Sequence, residues 1–147
     1  MNDSVFVDTN VLVYARDASE KKKQPRAEAW MRALWRDRRG RVSIQVLQEF
    51  YATVTVKLRP GMPPEIARRE VRSLMAWRPV VLDGGVVEGA WRVQDRLNFS
   101  WWDALIVAAA QRANCGYLLT EDLQDGQDLD GLVVVNPFLR EPEAILS

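Results

Sequence analysis

Val5-Phe6-Val7-Asp8-Thr9-Asn10 is the stretch from which the rest of the chain is read. Two β-branched residues around a phenylalanine make a short buried strand, and it runs directly into an acid, a hydroxyl and an amide suited to a turn or a cap. Outward from it, the apolar period alternates. From Pro25, residues Ala27, Trp30, Met31 and Leu34 recur at helical spacing, with the proline suited to a first turn. Residues 41–44 suit a short strand, and Val46, Leu47, Phe50, Tyr51 and Val54 form a second helical stripe, with Glu49 off it. Residues 59–64 form a loop, and Pro64 opens a helix bearing Ala67, Val71, Leu74 and Met75. Residues 79–82 read as a strand and 86–97 as a helix. Ser100 opens a helix, apolar all round to Ala113, that should be buried. Residues 116–120 and 132–135 read as buried strands on either side of the acidic loop 121–131.

Strands alternating with helices predict a three-layer α/β/α sandwich with a mainly parallel sheet of about five strands, in one domain over residues 1–147. In such sheets the ligand site lies beyond the carboxyl ends of the strands, where Asp8 and Asp122 fall.

The composition narrows the chemistry. The chain contains no histidine and one cysteine, Cys115. That excludes Ser-His-Asp and Cys-His catalysis, imidazole-held zinc and an internal disulfide, and it suits a reducing compartment. No apolar run approaches the length of a membrane span and no basic leader is evident, so a cytoplasmic protein with no membrane partner is expected. The formal net charge is zero but segregated: residues 1–78 hold 16 Lys/Arg against 9 Asp/Glu, and residues 79–147 hold 4 against 11. The basic half serves equally well as a solvated face or as a phosphate- or partner-binding surface.

Four acids sit where this fold would bring them together: Asp8 after the first strand, Glu49 on a helix, Asp103 in the first turn of the buried helix and Asp122 after the next strand. Each alone has a structural explanation. Asp8 suits a helix cap, Asp103 with Ser100 a capping box, Glu49 an exposed helix face and Asp122 a turn. Jointly they would repel unless one takes a proton or a cation sits among them. A hard divalent ion, Mg²⁺ or Mn²⁺, suits such oxygen ligands and requires no histidine.

Val5-Phe6-Val7-Asp8-Thr9-Asn10-Val11-Leu12-Val13-Tyr14, Gln48-Glu49-Phe50, Trp102-Asp103-Ala104-Leu105-Ile106 and Leu118-Leu119-Thr120-Glu121-Asp122 resemble, in order, the four acidic motifs of PIN domains. Val135-Asn136-Pro137-Phe138 resembles the close of the VapC-like toxins. The resemblance implies a metal-dependent endoribonuclease acting on RNA phosphodiesters, the toxin of a toxin–antitoxin pair, with a cognate antitoxin protein and a second copy of the chain as partners. It places Asp8 and Asp103 at the principal metal positions, Glu49 and Asp122 at the other acidic positions, and Asn10 and Thr120 beside them as residues orienting water or carboxylates. It also implies an antitoxin tail presenting an arginine to the acids. The alternatives are a catalytically silent PIN fold that binds RNA or a partner, and a DNA-directed nuclease. Phosphatase and phosphoacceptor readings ask for a late lysine, whereas the last lysine is Lys57. Asp125, Asp128 and Asp130 read as a solvated loop, with Asp125 able to reach a metal through water. Trp101 and Trp102 read as core in preference to a base-stacking pair.

Overall fold

The computed structural model describes residues 3–146. Five strands form one sheet in the order β2-β1-β3-β5-β4, with β1 (Val5–Val7), β2 (Gly40–Arg41), β3 (Tyr117–Leu119), β4 (Asp128–Leu129) and β5 (Leu132–Val135). All neighbours are parallel except β4 and β5. Because parallel strands need crossovers, helices α1 (Thr9–Tyr14), α2 (Lys23–Asp37), α3 (Ile44–Ala52), α4 (Pro64–Leu74), α5 (Gly84–Leu97) and α6 (Trp101–Arg112) fill the connections. Among these, none is long and apolar enough to cross a membrane.

Strand register determines which side chains meet at the carboxyl edge. Val7 lies opposite Leu119, and Leu119 opposite Val135, so the next residues, Asp8 and Thr120, emerge there side by side. The ladder carries on into them: Asp8 N–H donates to the Leu119 carbonyl and Thr120 N–H to that of Val135, both at 3.0 Å. Val5, Phe6, Val7, Leu118 and Leu119 are fully buried, as a sheet covered on both faces demands. From Ala104 to Ala110 every α6 residue is buried, and α6 packs chiefly along α5. Cys115 is buried too, and that burial pushes its thiol up to about 12, as expected of an inert core residue.

Two expectations change. Residues 79–82 supply a single parallel bridge from Val80 to Ser43 and not a strand. Pro79 has no N–H to give a ladder, and Val81 and Leu82 turn outward with no neighbouring strand. The fifth strand comes instead from the acidic loop. Asp130 and Gly131 both take positive φ (57° and 96°), the requirement of a two-residue hairpin turn, and this folds Leu129 back against Leu132 and into the core.

Gly40 marks a close approach. A Cβ there would stand 2.5 Å from the Trp77 ring, which is buried against this edge of the sheet. Gly40→Ala is therefore expected to destabilise the fold by about 2 kcal/mol through overpacking. Urea unfolding at pH 7 measures it, and an unchanged midpoint would mean that Trp77 yields freely.

Candidate active site

Asp8, the N-cap of α1, is only 6% exposed. Its Oδ1 accepts the Thr9 N–H at 2.7 Å and its Oδ2 accepts the Thr120 hydroxyl at 2.8 Å. Thr120 is wholly buried and fully engaged. Besides donating to Asp8, its oxygen accepts Asn10 Nδ2 at 3.3 Å and the Asp122 N–H at 3.1 Å, which uses its one donor and both lone pairs. Asn10 Nδ2 also donates to Asp122 Oδ2 at 3.0 Å, so one hydroxyl and one amide tie Asp8 to Asp122. Because both neighbours take the Asn10 NH₂, its Oδ1 faces the other way and remains a buried acceptor without a partner.

Glu49 arrives from α3, held on both oxygens: Thr9 Oγ1 donates to Oε2 at 2.9 Å and Gln45 Nε2, one turn earlier, to Oε1 at 3.0 Å. Asp103 comes from the first turn of α6. Its N–H donates to Ser100 Oγ at 3.2 Å, which is half of the expected capping box. The reciprocal bond is absent among the described residues, so the Asp103 carboxylate is left to the cleft. Ser100 serves here as the N-cap of α6.

Asp8, Glu49, Asp103 and Asp122 thus line one open cleft of about 380 Å³ together with Thr9, Asn10 and Tyr14. Electrostatics record the crowding. Burial above all pushes the Asp8 carboxyl up to about 7, with Asp122 and Glu49 adding to the rise and the Thr120 and Thr9 donors opposing it. Asp122 is also raised, first by burial and then by Asp103 and Glu121, against its bond from Asn10. Burial and the neighbouring acids thus favour the protonated Asp8, and a cation in the cleft would shift it toward the carboxylate.

Among the described residues no three carboxylates stand as a ready-made metal cage. The donors fit a hard cation nonetheless. They are all oxygens, and Mg²⁺ commonly takes one or two carboxylates and completes its shell with water and phosphate.

The rim is partly braced. Tyr14 Oη donates to Glu121 Oε1 at 2.6 Å, and Lys23 Nζ donates to Glu121 Oε2 at 2.9 Å and sits 4.7 Å from the Tyr14 ring centroid. This fixes the turn that carries Asp122. Asp125 is occupied elsewhere: it accepts the Asn136 N–H at 2.8 Å and pairs with Arg140 at 2.9 Å, so it closes the C-terminal segment and does not face the cleft. Asp130 pairs with Arg96. Thr9 and Gln45 were not picked out by the sequence, although Thr9 lies inside the first motif and Gln45 stands four residues before Glu49, the spacing at which helical side chains meet. The tryptophans depart from expectation as well. Trp101 is half-buried with its ring centroid 6.5 Å from that of Trp91, whereas Trp102 is 64% exposed and lines the cleft. Both tryptophans stand in the first turn of α6, one turn before the stretch Ala104–Ala110 that is buried all round, so their position on the helix does not by itself bury them.

The sequence matches the model of the PIN domain family over residues 5–125. No curated protein matches it. Solved structures that match include a toxin–antitoxin complex from Klebsiella pneumoniae, with TM-score 0.65 and 19% identity, covering 91% of this chain and 98% of that one. The Mycobacterium tuberculosis VapC20, a sarcin–ricin loop cleaving toxin, has TM-score 0.55 and 21% identity, covering 78% and 87%. The Rickettsia felis VapBC2, bound to a DNA fragment from its promoter, has TM-score 0.57 and 16% identity, covering 88% and 96%. At these identities the likeness is one of fold.

Proposed function

The chain belongs to the PIN domain family, and from that premise we propose that it is a cytoplasmic metal-dependent endoribonuclease, the toxin of a toxin–antitoxin pair. The observation that carries the reading is the convergence of Asp8, Glu49, Asp103 and Asp122 on one cleft at the carboxyl edge of the sheet. Asp8 and Asp103 would hold Mg²⁺ or Mn²⁺, with Glu49 and Asp122 completing the acidic site through water. Such an ion, when bound, supplies charge neutralisation at the scissile phosphate and activation of the attacking water.

The chain's own residues do the rest. Thr120 and the Thr9 N–H aim the two oxygens of Asp8. Asn10 holds Asp122 with its NH₂. Thr9 and Gln45 fix Glu49, which faces the cleft as an acceptor for a proton of the attacking water. The resemblance to PIN-domain nucleases implies that hydrolysis leaves a 5′-phosphate and a 3′-hydroxyl.

The antitoxin would act on the same electrostatics. An arginine from its tail offers paired donors to carboxylates and stays charged when desolvated, so it would compete with the metal. The tail's apolar residues would lie in the groove of about 650 Å³ between α1, α2 and α4, lined by Leu12, Met31, Trp35 and Leu74. A homodimer is part of the same reading.

The test is cleavage of single-stranded RNA, single-stranded DNA and duplex DNA by the purified chain with Mn²⁺, with Mg²⁺ and with EDTA. RNA is expected to be cut only with metal, leaving 5′-phosphate ends. Intact RNA at every metal concentration would support the silent module, and preferential cutting of DNA the DNA-directed nuclease.

A further inference from the structure

Trp102 is the one large aromatic side chain at the mouth of the acidic cleft that the fold does not use. It is 64% exposed. Among the described residues its ring meets no other ring and its Nε1 has no hydrogen-bond partner, while its neighbour Trp101 packs near Trp91. It immediately precedes Asp103, so the first turn of α6 puts an indole and a carboxylate on the same cleft. Among the described residues no lysine or arginine lines that cleft. Lys23 on the rim is already paired with Glu121, so the part of a nucleotide that the Trp102 side of the cleft can grip is the base.

We infer that the Trp102 indole is a stacking platform for a nucleobase next to the scissile phosphate, and so a substrate-positioning residue. Bases of single-stranded RNA are splayed and stack on aromatic faces, and every base presents such a face. The platform holds the strand in place without reading its sequence, while a metal ion held by the acids would take the phosphate of the same nucleotide. The inference rests on the proposed ribonuclease activity, and its test separates the two.

The experiment is single-turnover cleavage, with Mn²⁺, of a short single-stranded RNA spanning a mapped cleavage site, by wild type, Trp102→Ala and Trp102→Phe. An exposed side chain is dispensable to the fold, which circular-dichroism melts check. Trp102→Ala is expected to raise the half-saturating protein concentration about tenfold and to change the maximal rate little, with Trp102→Phe recovering most of the loss. The same RNA carrying one abasic residue, walked across the site, should weaken wild type at one position and leave Trp102→Ala unaffected there. If Trp102→Ala matches wild type, or its loss is the same on intact and abasic RNA at every position, the platform is wrong. If RNA cleavage is untouched but inhibition by the antitoxin weakens, the indole faces a protein and the inference is overturned. If wild type itself cuts no RNA, the ribonuclease reading fails first and this one falls with it.

Discussion

Asp8→Asn is expected to lower metal-dependent RNA cleavage by at least about a thousandfold, equivalent to roughly 4 kcal/mol of barrier, and at the same time to make the protein more stable above pH 7. Both effects come from one carboxylate. It is buried, two further acids face it, and its carboxyl is raised from 3.8 to about 7. The folded state therefore binds this proton more tightly than the unfolded chain does. Stability falls as pH rises from about 4 to about 7 and stays low above that. The penalty on the ionised form has a ceiling of about 4 kcal/mol. The amide removes it but cannot keep both contacts of Asp8, since one needs an acceptor at the Thr9 N–H and the other an acceptor at the Thr120 hydroxyl. One lost hydrogen bond takes back about 1 kcal/mol. A net gain of up to about 3 kcal/mol at pH 8 corresponds to a melting temperature up to about 9 °C higher. At pH 4.5, where Asp8 is already protonated in the fold, the gain should vanish. Melts in EDTA at both pH values measure this, and an equal shift at each would sink the electrostatic account. Wild-type cleavage rates in the variant would sink the mechanism.

The fold was legible because period and order do most of the specifying. Buried parallel strands such as Val5–Val7 and Leu132–Val135 are short apolar runs with few alternatives, and the all-round apolar α6 has to lie inside. The juxtaposition of Asp8, Thr120 and Asn10 follows once β1 and β3 are neighbours in register. What the sequence could not carry depends on orientation. Residues 79–82 have strand composition but no partner in reach beyond Ser43, and pairing is a property of the neighbour as much as of the segment. The Asp128–Leu129 strand hid in an acidic loop because its signal is the turn at Asp130-Gly131 and not its own residues. Asp125 counts as one more acid on paper, and only the Arg140 and Asn136 contacts show it turned away from the cleft. Trp101 and Trp102 carry the same letter, yet one is half-buried beside Trp91 and the other exposed at the cleft, a difference that residue type alone does not encode.

Thr120→Val is expected to lower cleavage at pH 7 by about a hundredfold, second only to loss of Asp8, although Thr120 touches neither RNA nor the reacting atoms in the proposed mechanism. Its hydroxyl is the stronger of the two donors holding the Asp8 carboxylate in its ionised form, so its removal drives the Asp8 carboxyl further upward. The same change strips the Asp122 N–H of its acceptor and Asn10 of one of two, and these are what bind Asp122 to Asp8 across the edge of the sheet. Valine fills the same buried volume, so the fold should survive with a modest loss. What distinguishes this positioning role from general damage is the pH profile. With the donor gone, a proton competes with the metal for Asp8 to higher pH, so the Mn²⁺ concentration for half-maximal cleavage should rise at pH 7 and recover toward the wild-type value by pH 9. Thr120→Ser, which keeps the hydroxyl, should retain most activity with an unshifted profile. A loss in Thr120→Val that is the same at pH 7 and pH 9, or shared by Thr120→Ser, would assign the residue to packing. A recovery confined to valine and to high pH would place the proton on Asp8, at the end of the strand where the sequence first turns from apolar to acidic.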